Sequence, residues 1–235
     1  MHPVLILTRN NLELTKRAIE SVFSQRLRNV SLWVHDNAST DGTREWLQMS
    51  EINTYFAETN EGVSGPWNRG LRFFFESCRT PYEHVCVINN DVFLPEWFLG
   101  ELISYDVPFV TGVAVDDMEA IRKPAERMPL SPNPDFSAFL IRREAWEKIG
   151  PFNERFYSYS GDQDYHVRGH RLGVGMWKAN VPYFHQRSST LNNASPQEQA
   201  VIRAQADADR ATFKAIYGVS AGGPEYEKLF LPVEA

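Results

Sequence analysis

Val4-Leu5-Ile6-Leu7-Thr8-Arg9-Asn10 is a compact apolar run that ends in polar residues. It is short and has no basic lead-in, so it reads as a buried strand and not as a signal peptide. The same arrangement returns at Val30 to His35, closed by Asp36-Asn37-Ala38-Ser39, and at His84 to Ile88, closed by Asn89-Asn90-Asp91. Thr54 to Ala57 reads as a further short strand. Helical patterns lie between these runs. Leu12 to Gln25 puts Leu14, Ala18, Val22 and Phe23 near one face. Thr40-Asp41-Gly42-Thr43 offers turn and capping chemistry before Arg44 to Met49, and Asn60-Glu61-Gly62 breaks the chain before a helix from about Ser64 to Glu76. Strand–helix alternation predicts an α/β fold with a mostly parallel central sheet flanked by helices.

The second half reads differently. Pro124 to Pro134 is proline-rich and predicts an irregular, flexible loop. Phe136 to Ile141 predicts a strand, and Arg143 to Ile149 a helix stopped by Gly150-Pro151. Phe152 to Tyr159 is aromatic and reads as a pocket wall or a surface packed on the sheet. Asp162 to Arg171 reads as helix, Val174 to Phe184 as extended, and Pro196 to Tyr217 as a polar, alanine-rich helix ending at Gly218. The tail from Ser220 reads as peripheral.

The composition excludes several classes. With 235 residues, 43% hydrophobic and 23% charged, the chain is neither disordered, collagen-like nor a coiled coil. No apolar run approaches the roughly 20 residues of a membrane-spanning helix. Two cysteines make no disulfide framework, which predicts a reducing, cytoplasmic setting. A net charge of −6 argues against a protein that coats nucleic acid.

In open α/β sheets ligands bind beyond the carboxyl ends of the strands. Three such ends carry polar clusters, Thr8-Arg9-Asn10, Asp36-Asn37 and Asn89-Asn90-Asp91, which predicts that they converge. Turn chemistry accounts for each one singly; three at equivalent positions point to a site. Asp91, a lone carboxylate flanked by amides, suits a hard cation that keeps its waters and its substrate's phosphates, so Mg²⁺ or Mn²⁺. His185 closes an extended run and reads either as a second, imidazole ligand, favouring Mn²⁺, or as a hydrogen-bonded surface histidine. Asp162 and Asp164 stand near a helix N-terminus, as plain caps or, beside Phe156-Tyr157-Ser158-Tyr159, as a carboxylate of raised pKa fit for a general base. The sequence holds no phosphate-binding loop, dinucleotide fingerprint or Gly-x-Ser-x-Gly elbow. Cys78 and Cys86 lack zinc-ligand spacing and read as structural. Arg168, His170 and Arg171 read as a solvated helix face or a phosphate contact.

From Val4 to Gly218 the chain resembles the inverting GT-A glycosyltransferases of family 2, particularly their bacterial rhamnosyltransferase-like branch. Val34 to Thr43 is similar to the family's "DNxSxDGT" segment. Asn60-Glu61-Gly62 with Asn68-Arg69-Gly70 is similar to its "NxG…NxG" segment, and Asn89-Asn90-Asp91 stands at its DxD-type metal motif. Phe139 to Phe156 is similar to the acceptor-side strand and helix, Gly161-Asp162-Gln163-Asp164 falls at the "EDxD" motif, and His185 with Ser188 or Ser189 at the late His-x-x-x-Ser element. The resemblance implies a single GT-A domain over 1–218, Rossmann-like, with a nucleotide-binding half over 1–91, a smaller acceptor-binding half over 92–218 and a tail over 219–235.

It also implies roles. Thr8, Arg9 and Asp36 would hold the base and ribose of a UDP-, dTDP- or GDP-linked donor, and Asn68 and Asn89 would line its pocket. Asp91 and His185 would bind the metal, and Asp162 would be the base. The acceptor would be a hydroxyl of a glycan or lipid-linked saccharide, reached from the cytoplasm with peripheral contact at the inner membrane face and no nucleic acid. Two positions depart from the pattern: Asn89 replaces the first acid of DxD, and Gly161 the first acid of EDxD. The second departure motivates one alternative, a non-catalytic nucleotide-sugar or carbohydrate binding module. Sugar transfer to a modified nucleic-acid base is another.

Overall fold

The computed structural model describes residues 1–79, 81–126, 130–131, 134–187 and 189–231. Strand β1 (His2–Thr8) is central, and Val4, Leu5 and Ile6 are fully buried because both faces of the sheet are covered. Val4 and Ile6 join one core with the apolar stripe of α1 (Leu12–Phe23), while Leu5 joins a second core on the opposite face. Leu14, Ala18 and Val22 face that first core as expected; Phe23 does not, and is 61% exposed.

The alternation continues with β2 (Val30–Asp36), α2 (Thr43–Met49), β3 (Asn53–Phe56), α3 (Ser64–Arg72) and β4 (His84–Asn89). Beyond α3 a π-helical turn at Phe73–Ser77 replaces the last turn of the expected single helix. It turns Phe74 and Phe75 into the second core and leaves Phe73 exposed.

After β4 come β5 (Val92–Phe93), α4 (Phe98–Ser104), β6 (Phe109–Val115), β7 (Ala138–Arg142) and α5 (Arg143–Ile149). Then follow α6 (Gly161–Arg171), β8 (Met176–His185), α7 (Ser189–Asn192), α8 (Pro196–Tyr217) and a 3-10 turn at Tyr226–Phe230. Among the described residues eight strands form one sheet in the order β3-β2-β1-β4-β7-β6-β8-β5. β7 and β5 run against the other strands, so the sheet is mostly parallel, as expected.

The second core is aromatic, and the Phe152 ring stacks on Tyr165 at 4.0 Å, tying α6 to the loop after α5. Each such buried ring contributes about 1.5–3 kcal/mol by leaving water. A third, smaller core of Phe156, Val167 and Phe213 gathers Tyr217, Tyr226 and Phe230. The tail is therefore packed against α6 and α8 over the described residues, not peripheral.

The expected loop at Pro124 to Pro134 falls partly on 127–129 and 132–133, outside the described residues. Within it Ser131 pairs with Lys178 of β8. No helix among the described residues is long and apolar enough to cross a membrane. Both cysteines are free, and burial pushes the Cys86 thiol up to about 12, the behaviour of an inert core residue.

Candidate functional site

The three polar strand ends meet. Thr8 is in register with Asp36, and Leu7 with Asn89. The Asn90 side-chain amide donates to Thr8 Oγ1, Thr15 Oγ1 and the Asn10 carbonyl, each at 3.1 Å, and the two threonine hydroxyls bond at 2.7 Å. Thr8 is fully buried in this knot, so its hydroxyl serves the scaffold. Asn10, Asn11 and Ala38 have positive φ, between 58° and 60°, which the alanine in particular adopts only against strain.

The segment Asp36 to Thr43 is mostly a brace. Ser39 Oγ accepts from the Asn10 backbone at 2.8 Å, and Asn10 Oδ1 accepts from Thr40 N at 2.8 Å. Asp41 accepts from Thr43 and from Leu12 N. Burial works to raise the Asp41 pKa, but these hydrogen bonds outweigh it and hold the carboxyl below its usual range. Asp36, expected to touch the ligand, is fully buried, with Arg44 Nε donating to it at 2.9 Å. The side chain that reaches the cavity from this segment is its neighbour Asn37, which also bonds Asn60, the Glu61 amide and the Gly62 carbonyl.

Asn68 is likewise placed elsewhere than expected. Its amide bonds both the N–H and the carbonyl of Phe152 and the Glu154 carboxylate, strapping α3 to the loop after α5. Being fully buried and fully engaged, it lines no described cavity.

Arg9, Asn37, Asn89 and Asp91 line one cavity of about 490 Å³. Arg9 Nε is buried with no hydrogen-bond partner, a cationic donor turned toward that space. Tyr157 and Tyr159 form another wall, and the Gln197–Gln205 stretch of α8 covers it.

Asp91 and His185 are brought together. Val92 of β5 pairs with His185 of β8, and Gln186 N donates to the Asp91 carbonyl at 2.9 Å. His185 Nε2 then stands 3.4 Å from Asp91 Oδ1, with both side chains largely buried. His185 is thus no surface histidine. Among the described residues no three ligating side chains cluster. One carboxylate and one imidazole on a cavity wall fit an Mg²⁺ or Mn²⁺ ion whose other positions go to phosphate oxygens and water. Ser188, part of the same expected element, lies outside the described residues, as does the side chain of Ser189.

Asp162 lies in the first turn of α6, entered through Ser160 at φ 61°. It lines a second cavity, of about 340 Å³, that shares Val63, Asn89, Ser158 and Tyr159 with the first. Burial raises its pKa to about 6; the nearby Asp135 carboxylate adds to the rise, and backbone N–H groups of the turn oppose it.

Asp164, two residues on, does different work. It is buried, paired with Arg168 Nε at 2.8 Å and bonded by the Tyr217 hydroxyl at 2.7 Å. Arg168 is therefore a structural partner, not a phosphate contact. At Gly161 a Cβ would approach Ser64 Oγ to 2.9 Å and Phe156 Cβ to 3.4 Å, so a larger side chain has no room without a shift of Ser64.

Asp209 and α8 were not expected at the site. The buried Asp209 carboxylate accepts from the N–H groups of Tyr157, Ser158 and Tyr159, at 2.8–3.0 Å, and so fixes the aromatic loop. A signal for α8 existed in Val201, an apolar residue 65% exposed on a polar helix.

Comparison with known proteins agrees with this fold. The sequence model of Glycosyl transferase family 2 matches residues 4–143. Among solved structures, S. aureus TarS is 15% identical with a TM-score of 0.61, over 94% of this chain and 44% of that one. The mannosyltransferase PcManGT from Pyrobaculum calidifontis, solved with GDP-Man and Mn²⁺, is 17% identical with a TM-score of 0.59, over 97% of this chain and 67% of that one. A TarS fragment solved with UDP-GlcNAc is 13% identical with a TM-score of 0.56, over 98% and 78%. The fold is that of these GT-A proteins, and the chain spans less than half the length of full TarS. Among curated proteins none matches the sequence.

Proposed function

The chain belongs to glycosyl transferase family 2, and from that premise we propose that it moves a sugar from a UDP-, dTDP- or GDP-linked donor to a hydroxyl of a glycan or lipid-linked saccharide, with inversion. One observation carries the reading. The Asp91–His185 pair and Asp162 open onto two cavities that share a wall, so a diphosphate at one end and a hydroxyl at the other would meet between them. Neighbours solved with GDP-Man and with UDP-GlcNAc support a nucleotide-sugar donor.

The donor would lie over the strand ends, with Asn37 and Asn89 on its polar edges and the free Arg9 donor toward its charge. Asp91 and His185 would hold Mn²⁺ or Mg²⁺, which when bound supplies Lewis-acid neutralisation of the departing diphosphate. Asp162 is ionised at neutral pH yet basic enough, at about 6, to take the proton of an incoming hydroxyl. The loop held by Asp209 walls the cavity where the reacting carbon would lie. In this reading residues 1–91 form the nucleotide half and 92–218 the acceptor half of one domain, within the rhamnosyltransferase-like branch. It works in the cytoplasm, at the membrane face where the acceptor is lipid-linked.

Calorimetric titration with UDP-, dTDP- and GDP-sugars, with and without Mn²⁺, tests the proposal. One donor should bind and should need the metal. Failure of all three would contradict it, and binding without turnover on any hydroxyl acceptor would leave a binding module in its place.

A further inference from the structure

Asp162 and Gln163 face two ways. They line the 340 Å³ cavity and also a larger one, of about 970 Å³, walled by the far turns of α6. That volume stands at the top of the roughly 300–1,000 Å³ range of small-molecule sites. Its walls come from three separate parts of the chain: His166 and His170 of α6, Trp177 of β8, and Tyr226 and Phe230 of the C-terminal turn. Phe230 packs on His166 at 4.5 Å, on His170 at 5.2 Å and on Tyr226 at 5.2 Å, so the turn is held in place by its own rings.

The charge of this cavity is distinctive. Its described lining has no lysine and no arginine; its carboxylates are Asp162 and Glu227. Burial, with a contribution from His170, lowers His166 to about 4, so that ring is neutral at pH 7. Such a wall repels phosphate or carboxylate groups, while aromatic rings offer flat apolar faces to the C–H face of a sugar. Gln163 Oε1 is buried without a partner and leaves an acceptor for a hydroxyl.

We propose that this cavity receives the acceptor as a neutral saccharide, its rings against Trp177, Tyr226 and Phe230 and its reactive hydroxyl at Asp162. The inference rests on the sugar-transfer reading above and adds the acceptor's chemistry and the part of the chain that selects it. The step balances without a further reactant. The hydroxyl oxygen bonds to the anomeric carbon, its proton passes to the Asp162 carboxylate, and the bond to the diphosphate breaks with its electron pair leaving on the nucleotide.

The test is binding to the full chain of maltotriose, cellotriose and mannotriose, with trigalacturonate as the anionic counterpart, read by saturation-transfer NMR. At least one neutral trisaccharide should bind at millimolar concentration and trigalacturonate should not. Trp177→Ala should weaken that binding at least tenfold. His170→Trp, which fills the cavity from an exposed position and keeps a ring beside Phe230, should do the same. In both variants the unfolding temperature and nucleotide affinity should stay within error of wild type. Binding of no neutral probe, preference for trigalacturonate, or equal binding in both variants would overturn the proposal. Trp177-dependent saccharide binding in a protein that binds no nucleotide would sink the donor reading alone; nucleotide binding with no Trp177-dependent saccharide binding would sink this one alone.

Discussion

The two sides of the cleft are built by different means. On the proposed donor side the contacts come from loops that follow β1, β2 and β4, and hydrogen bonds such as Thr8–Thr15 and Asn90–Thr8 lock them in place. On the proposed acceptor side the walls come from α6, β8 and the C-terminal turn, elements far apart in sequence and joined through their rings. Electrostatic preorganisation suits the side where charge develops on a common diphosphate. A wall of exchangeable side chains suits the side where acceptors differ.

The comparison can be broken first at Asp162, where the two sides meet. Asp162→Asn should lower turnover by about 10²–10⁴-fold, the range for removing a general base, with donor affinity unchanged by calorimetry. Normal turnover would move the base elsewhere, with Asp135 the first place to look. On the proposed reading of the donor side, Asp91→Ala removes one of two protein ligands. Its effect on Mn²⁺-dependent donor binding should exceed the roughly 10–100-fold loss seen when only a supporting residue of a metal site is changed. Equal donor hydrolysis with and without Mn²⁺ in the wild type would remove the metal from the account.

Asp209→Ala sharpens the contrast from the acceptor side. It leaves three N–H groups of the aromatic loop without their acceptor. Urea unfolding should show a loss of about 2–4 kcal/mol, given 1–3 kcal/mol for an unsatisfied buried group, and donor affinity should fall less than turnover.

The smallest effect concerns pH. Asp162 binds its proton more tightly folded than unfolded, so folding is favoured most below the ordinary carboxylate range. That advantage is lost as pH rises through about 6. If Asp162 is the base, activity should follow the opposite course, with kcat/KM falling below about pH 6 as its carboxylate is protonated. Asp162→Asn should therefore unfold at a slightly higher temperature than wild type at pH 7, and the difference should vanish near pH 4.

The donor side was the legible side. β1, β2 and β4 are continuous apolar runs with polar ends, and position on a parallel sheet brings those ends together whatever the intervening sequence. Arg143–Ile149 and Pro196–Tyr217 were also bounded correctly, because Gly150 and Gly218 stop them. What the sequence did not disclose is which side chain of a polar cluster turns toward solvent. Asp36 and Asn37 are adjacent, and Asp36 turns inward to the Arg44 guanidinium, eight residues on, and to the Ser39 N–H. Asn68 was misplaced for the same reason, since its partners lie 84 and 86 residues away. Within residues 92–123, expected only as part of the acceptor-binding half, no strand or helix was read, and β6 gains its place by pairing with β7 and β8. The role of α8 depends on Asp209 reaching the loop about 50 residues before it, which no local pattern announces.

The most direct measurement is a crystal structure with an intact nucleotide-sugar and Mn²⁺ bound to Asp162→Asn, with the metal located by anomalous scattering. A single manganese peak beside residue 91 and His185 is expected, with the sugar on the side of residue 162. A donor bound away from the strand ends, or a sugar turned from α6 with the metal on other ligands, would contradict it.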